Sequence, residues 1–263
     1  MTGAITFTNL VKTYGKQKAV SDLSIEIQKG RITGFLGPNG AGKSTTLRCL
    51  VGLAKPTSGS AAILGAGYRD LRDPIRQVGC VLDSQGFHKA ILGAGYRDLR
   101  DPIRQVGCVL DSQGFHKALT GKQNLKVMAA AGGIPDSRVD EVLELVELTE
   151  AANKRTKNYS LGMKQRLALA GAILGDPEVL ILDEPANGLD PLGIAWLRKF
   201  LRSLAGSGRT ILVSSHQLAE MQNTVDDVII MHKGKLITSG SMKEIIKDGT
   251  LEEAFLKLTE GVN

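Results

Sequence analysis

Along this chain, runs of alternating apolar and polar positions trade places with runs whose apolar residues recur every three or four positions. Near the N-terminus, ITFTNLVKTY and LSIEIQKG alternate in the manner of half-buried strands. RITGFLG then passes into GKSTTLRCLVGL, which predicts a strand, a tight turn and a helix in succession. From Leu119 to Thr156 the pattern turns helical, and Val139, Val142, Leu143 and Val146 share one helical face. VLILDE is almost wholly apolar, as a strand buried on both faces of a parallel sheet must be. LGIAWLRKFLRSLAGSG reads as a helix stopped at glycine, TILVSS as a strand and DVIIMHKGKLITSG as a hairpin. TLEEAFLKL predicts a last helix with Thr250 as its N-cap. The alternation predicts an α/β fold with a mostly helical insertion at about residues 119–166.

One stretch interrupts this progression. ILGAGYRDLRDPIRQVGCVLDSQGFHKA occurs twice, letter for letter, at Ile63–Ala90 and Ile91–Ala118. Solenoids and arrays need at least three stacked, diverged units, so two identical copies predict an in-frame duplication with one copy surplus. The spare ILGAG and VGCVL segments then compete for the same strand positions.

Composition narrows the picture modestly. A chain of 263 residues can bury a sizeable core. No run of about 18 apolar residues appears, and MTGAITFTNLVKTYG lacks a basic region followed by an apolar one, so neither a spanning helix nor a signal peptide is expected. Cys80 and Cys108 are copies of one residue, and Cys49 is the only other, a cytosolic pattern rather than a disulfide framework. The net charge of +6 is spread along the chain and selects no partner.

Two motifs carry the chemistry. GPNGAGKST, from Gly37 to Thr45, has the spacing of a phosphate-binding loop and sits between a predicted strand and helix. Its glycines let backbone N–H groups turn inward at a helix N-terminus, where they cradle phosphate oxygens. Lys43 is expected to reach the β- and γ-phosphates and Ser44 to ligate Mg²⁺. VLILDEP supplies the second half of a nucleotide site: Asp183 would hold Mg²⁺, and Glu184 would accept a proton from an attacking water.

Between them, YSLGMKQR at Tyr159–Arg166 resembles the signature segment of ATP-binding cassette (ABC) transporter ATPases, usually LSGGQ followed by Gln-Arg. Tyr159, Leu161 and Met163 depart from that pattern, whereas Ser160, Gly162, Gln165 and Arg166 match it. Read without the family, Ser160 is an N-cap for the helix LGMKQRLALAGAIL. The family's order continues elsewhere. Tyr14 stands where such proteins stack an aromatic ring on adenine, Asp190 in ANGLDP stands in the D-loop that faces a partner subunit, and His216 in SSH stands at the switch histidine. His88, His116 and His232 have no such context.

The resemblance implies a P-loop NTPase core with a mostly parallel sheet, an antiparallel β-subdomain and a helical subdomain, all in one domain spanning residues 1–263. It implies an ATPase using ATP and Mg²⁺ that pairs head to tail, each site joining Gly37, Pro38, Asn39, Gly40, Ala41, Gly42, Lys43, Ser44 and Thr45 of one chain to Ser160, Gly162 and Asp190 of the other. Lys43, Glu184 and His216 are its expected catalytic residues, and Ser44, Asp183 and Asp111 its expected metal ligands. The expected setting is the cytoplasmic face of a cell membrane, beside a separate transmembrane permease and without nucleic acid. ANGLDPLGIAWLRKF and YSLGMKQR look most like bacterial multidrug or antimicrobial-peptide exporters.

Two rival readings remain. A soluble ABC ATPase of ribosomes or DNA usually carries two cassettes, a long coiled coil or a zinc insertion, and none of these appears. The other rival is a cassette that holds ATP without hydrolysing it.

The family's glutamine after the next strand is replaced by Asp83 or Asp111, with Gln85 or Gln113 two residues later. If the surplus stretch bulges out as Tyr68–Gly95, copy two supplies VGCVLD and Asp111 takes the glutamine's place. A bulge at Gly86–Gln113 would keep Asp83 there instead. The first arrangement is the expectation.

Overall fold

A computed structural model describes residues 3–82, 108–110, 115–247 and 249–260 of the chain. Ten strands are described: β1 Ile5–Tyr14, β2 Gln17–Ile27, β3 Ile32–Leu36, β4 Ser58–Ile63, β5 Val78–Leu82, β6 Cys108–Leu110, β7 Val179–Asp183, β8 Thr210–Ser215, β9 Asp227–His232 and β10 Lys235–Ser241. The helices are α1 Lys43–Leu50, α2 Pro74–Gln77, α3 Gly121–Ala131, α4 Ser137–Leu145, α5 Leu161–Ile173, α6 Pro191–Gly206, α7 Leu218–Gln222, α8 Met242–Ile246 and α9 Leu251–Glu260. They divide into two compact units, one of Met1–Asp70, Leu182–Glu184 and Trp196–Asn263, the other of Leu71–Ile181 and Pro185–Ala195.

In the first unit, β1 lies between β2 and β4 in an antiparallel sheet, with Ile5 opposite both Ile27 and Ile63. A second sheet runs β10-β9-β3-β8 and on to the end of β7, with β3 parallel to both β8 and β9. The β9–β10 hairpin turns at Lys233 and Gly234, both at positive φ (47° and 78°), the twist a two-residue hairpin needs. Ile32, Leu36, Ile211, Leu212 and Val213 are 0 % exposed, each worth about 1.5–3 kcal/mol of apolar burial. Continuous burial of that kind is what the unbroken apolar runs predicted.

Charge also ties this unit together. Asp226 accepts the Ile32 N–H at 2.9 Å and pairs with Arg202. Burial raises its pKa, but the Ile32 N–H and the Arg202 guanidinium outweigh that, and the net shift is downward. A depressed carboxylate contributes stability that is complete above its ordinary range and is lost as pH falls through its folded value. Asp226→Asn is therefore expected to flatten the loss of stability below about pH 4, as read by urea unfolding across pH.

In the second unit, the sheet runs β7-β5-β6. β5 and β6 are the same segment of the two copies laid side by side in parallel, with Cys80 opposite Cys108 and Leu82 opposite Leu110. The strand beside β7 thus comes from copy one, not from copy two as expected. Copy one continues unbroken from β4 through α2 into β5, so no long loop must close before the strand forms. Cys80 is disulfide-bonded, while Cys49 is free and buried.

The helices of this unit are capped as their sequences dictate. Thr120 and Gln123 form a capping box at α3, and Asn124 ties α3 to the backbone of His116. Val139, Val142 and Leu143 form the buried face of α4, with Val146 buried at its C-cap. In the first unit, Thr250 and Glu253 exchange side-chain and backbone bonds at the start of α9, the capping role predicted for Thr250. Among the described residues, no helix is long and apolar enough to cross a membrane.

Candidate active site

β3 delivers the chain into the glycine loop at Gly37, and α1 begins six residues later. Gly42, the N-cap, has φ 102°, and a Cβ on it would stand 2.5 Å from the carbonyl oxygen of Ala19. Neither fact tolerates a side chain. The cap offers no side-chain acceptor, so the N–H groups of the first turn receive none from it, as an anion-binding helix start requires. Pro38, Asn39 and Gly40 are exposed, whereas Ala41 is buried and Ser44 and Thr45 are half-buried. Gly42→Ala is expected to cost at least about 1–3 kcal/mol of stability and to abolish nucleotide binding, measured by thermal melting and ATP titration.

Lys43 is 6 % exposed and folds back over its own loop. Its Nζ donates to the carbonyl oxygens of Gly37 at 2.6 Å and Pro38 at 3.4 Å, and lies 3.3 Å from Glu184 Oε1. A buried cation needs an anionic partner, and here Glu184 is that partner.

Glu184 follows β7 in the left-handed region, φ 52°, an uncommon conformation for a residue with a side chain. Its backbone N–H is fixed by Ser214, through the carbonyl at 3.2 Å and the hydroxyl at 3.0 Å. The carboxylate then lies between two groups. Oε1 faces Lys43, while Oε2 accepts from His216 Nδ1 at 2.8 Å and from the His216 N–H at 3.3 Å. Toward an ionised carboxylate Nδ1 is the donor, which leaves Nε2 for another partner. Asp183 is 3 % exposed and accepts from the Ser214 hydroxyl. Ser214 thus orients both acids, a role not anticipated from sequence. Its only signal was a hydroxyl at the end of TILVSS, next to the buried apolar Ile211–Val213.

Tyr14 ends β1 with half its surface exposed, its ring under Lys12 Nζ at 4.7 Å. Burial raises its pKa, against a side-chain hydrogen bond with Thr45 that lowers it. The first unit therefore gathers Tyr14, Gly37–Thr45, Asp183, Glu184 and His216.

Ser160, Gly162 and Asp190 belong to the second unit. Ser160 caps α5, accepting the Met163 N–H at 3.2 Å, so the plain reading of that serine holds structurally. Tyr159, the signature's first departure, turns inward: it is 5 % exposed and donates to the Ala151 carbonyl at 2.7 Å. Gly162 is different. A Cβ there would meet only Leu189 Cδ2, at 3.8 Å, so no described neighbour demands glycine. Leu161 packs over Gly188, Gln165 donates to the Pro185 carbonyl at 2.8 Å, and Asp190 caps α6 through the Gly193 N–H at 2.7 Å. Asp83, Gln85, His88, Asp111 and Gln113 lie outside the described residues.

The donors suit Mg²⁺. Ser44 and Asp183, its expected ligands, bring two hard oxygens to the first unit. That is too few ligands for an all-protein cage. It fits a cation that keeps waters and shares phosphate oxygens.

Comparison with known proteins agrees. The ABC transporter family profile matches residues 20–187. A bacitracin transport ATP-binding protein of Bacillus licheniformis is 42% identical over 240 residues, covering 90% of this chain and 69% of that protein. A lantibiotic transport ATP-binding protein of Streptococcus pyogenes is 34% identical over 247 residues, covering 94% of this chain and 93% of that one. Among solved structures, an ATP-binding subunit of an ABC transporter superposes with a TM-score of 0.76 at 26% identity, covering 97% of this chain and 99% of that one. A dimeric ATP-binding cassette with ADP and Pi, 22% identical with a TM-score of 0.71 over 90% of this chain and 98% of that one, supports the fold alone. With the phosphate loop, the paired acids and the histidine in one site, the chain belongs to the ABC transporter family as an ATP-binding, ATP-hydrolysing subunit.

Proposed function

We propose that this subunit powers export of peptide antibiotics, working head to tail with a second copy on the cytoplasmic face of a membrane whose permease is a separate protein. The observation that carries the catalytic part is Glu184, held between the Lys43 ammonium and the His216 imidazole. The chain's similarity to bacitracin and lantibiotic transport ATP-binding proteins supports the substrate class.

Each residue has a task that follows from its chemistry. Phosphate draws the Lys43 ammonium away from Glu184, and binding then releases the carboxylate it had been neutralising. Glu184 takes the proton of the attacking water, with its position fixed by Ser214 and its second oxygen by His216. His216 assists the γ-phosphoryl group only with a proton on Nε2, which then donates to a phosphate oxygen, and the N–H groups of the glycine loop and α1 hold the remaining phosphate charge. Ser44 and Asp183 would hold Mg²⁺, which would supply positive charge against the phosphate oxygens. The free face of Tyr14 stacks on adenine. Ser160, Gly162 and Asp190 act from the second copy, where a glycine that its own chain does not require permits close approach of phosphate.

The setting is tested by recovering the full chain from cells under mild detergent. A multi-spanning membrane protein should come with it. Recovery with ribosomes or DNA instead would overturn the export reading.

A further inference from the structure

Ten residues of copy one, Asp73–Leu82, form the N-cap of α2, α2 itself and β5, and each has an identical counterpart in Asp101–Leu110. The place they fill is demanding. Gly79 lies against α5 so closely that a Cβ would stand 2.0 Å from the Ala172 carbonyl oxygen and 2.9 Å from Leu180 Cδ1. Val78, Cys80, Val81 and Leu82 are all buried around it. In α2, the Ile75 carbonyl excludes any side chain at Gly175, and Arg76 donates to the Gly133 carbonyl at 3.2 Å. Copy two offers the same letter at the same spacing for every one of these requirements. Three of its residues lie next door: Cys108–Leu110, which form β6, pair with β5 in parallel, each opposite its own duplicate. One strand spacing, about 4.8 Å, separates the two.

We propose that the place beside β7 is shared, so that the chain has two folded forms related by exchange of the copies. Contacts within the place are the same in both, because the residues are the same. The surrounding connections differ. With copy one in place, the chain reaches the segment before α3 through Asp83–Gly114; with copy two it does so through Asp111–Gly114, and the extra 28 residues move ahead of the strand. Closure entropy depends only logarithmically on loop length, so shifting the surplus from one loop to the other excludes neither form. The exchange also decides whether Asp83 or Asp111 follows the strand and how long a tether joins it to α3. This inference does not depend on what is transported.

The test uses the full chain under reducing conditions, because Cys80 is disulfide-bonded in this structure. Gly79→Val bars copy one from the place and Gly107→Val bars copy two; valine favours strands, so its damage comes from the clash alone. Each single variant should unfold cooperatively, with melting temperatures within about 3 °C of each other, and the double variant should lose its transition. Alkylation followed by mass spectrometry should find Cys108 protected in Gly79→Val and Cys80 protected in Gly107→Val. If Gly79→Val alone is as damaged as the double, or if Cys80 stays protected in both single variants, the place belongs to copy one and the proposal fails. A double variant that melts like the singles would overturn it too, since no copy would then need its glycine.

Discussion

Glu184→Gln is expected to lower ATP hydrolysis by about three orders of magnitude, the contribution a positioned general base makes. The amide keeps the shape of the side chain, so the left-handed backbone at φ 52° and the Ser214 contacts need not change. What disappears is the negative charge, and with it both the proton acceptor and the partner 3.3 Å from Lys43. An ammonium without that partner meets phosphate with less to give up. ATP affinity should therefore hold or rise while turnover collapses, a split that separates loss of chemistry from loss of fold. Phosphate release and equilibrium ATP binding, measured on the same preparation, check both halves. Turnover equal to the parent's would place the base elsewhere.

The second large effect runs against stability. Gly162→Ala puts a methyl group where only Leu189 Cδ2 lies nearby, at 3.8 Å, and alanine in a helix is favoured over glycine by up to about 1 kcal/mol. The melting temperature should stay level or rise. Hydrolysis should nonetheless fall about a hundredfold, because a methyl group there displaces the phosphate of the second copy from its reacting geometry. A change confined to one chain's packing cannot produce that combination. If the variant turned over ATP like the parent, Gly162 would not face a nucleotide.

Much of this was readable from letters because the relevant physics is local. A phosphate loop between strand and helix, an apolar strand ending in two acids, and an N-cap at Thr250 all depend on a few neighbouring residues. Ser214 was missed because its partners, Asp183 and Glu184, lie some thirty residues away in sequence and adjacent only through the β7–β8 pairing. Tyr159 reads as a flaw in the signature until its ring is seen to be buried, with its hydroxyl on Ala151. Ser160 satisfies the capping reading without losing the other, since the hydroxyl stays exposed at the start of α5. The expectation that copy two would stand beside β7 failed. Identical residues make identical contacts, so the letters could not separate the copies, and in this structure the strand beside β7 is that of copy one.

The central claim is a catalytic site shared by two copies of the chain. It is tested most directly by mixing two variants, Lys43→Ala and Gly162→Ala, each inactive alone. In a head-to-tail pair, one of each yields one site with both defects and one with neither. Random pairing should restore about a quarter of the parental Mg²⁺-ATPase rate, because half the dimers are mixed and each mixed dimer holds one intact site of two. A mixture as inactive as its components would contradict the shared site.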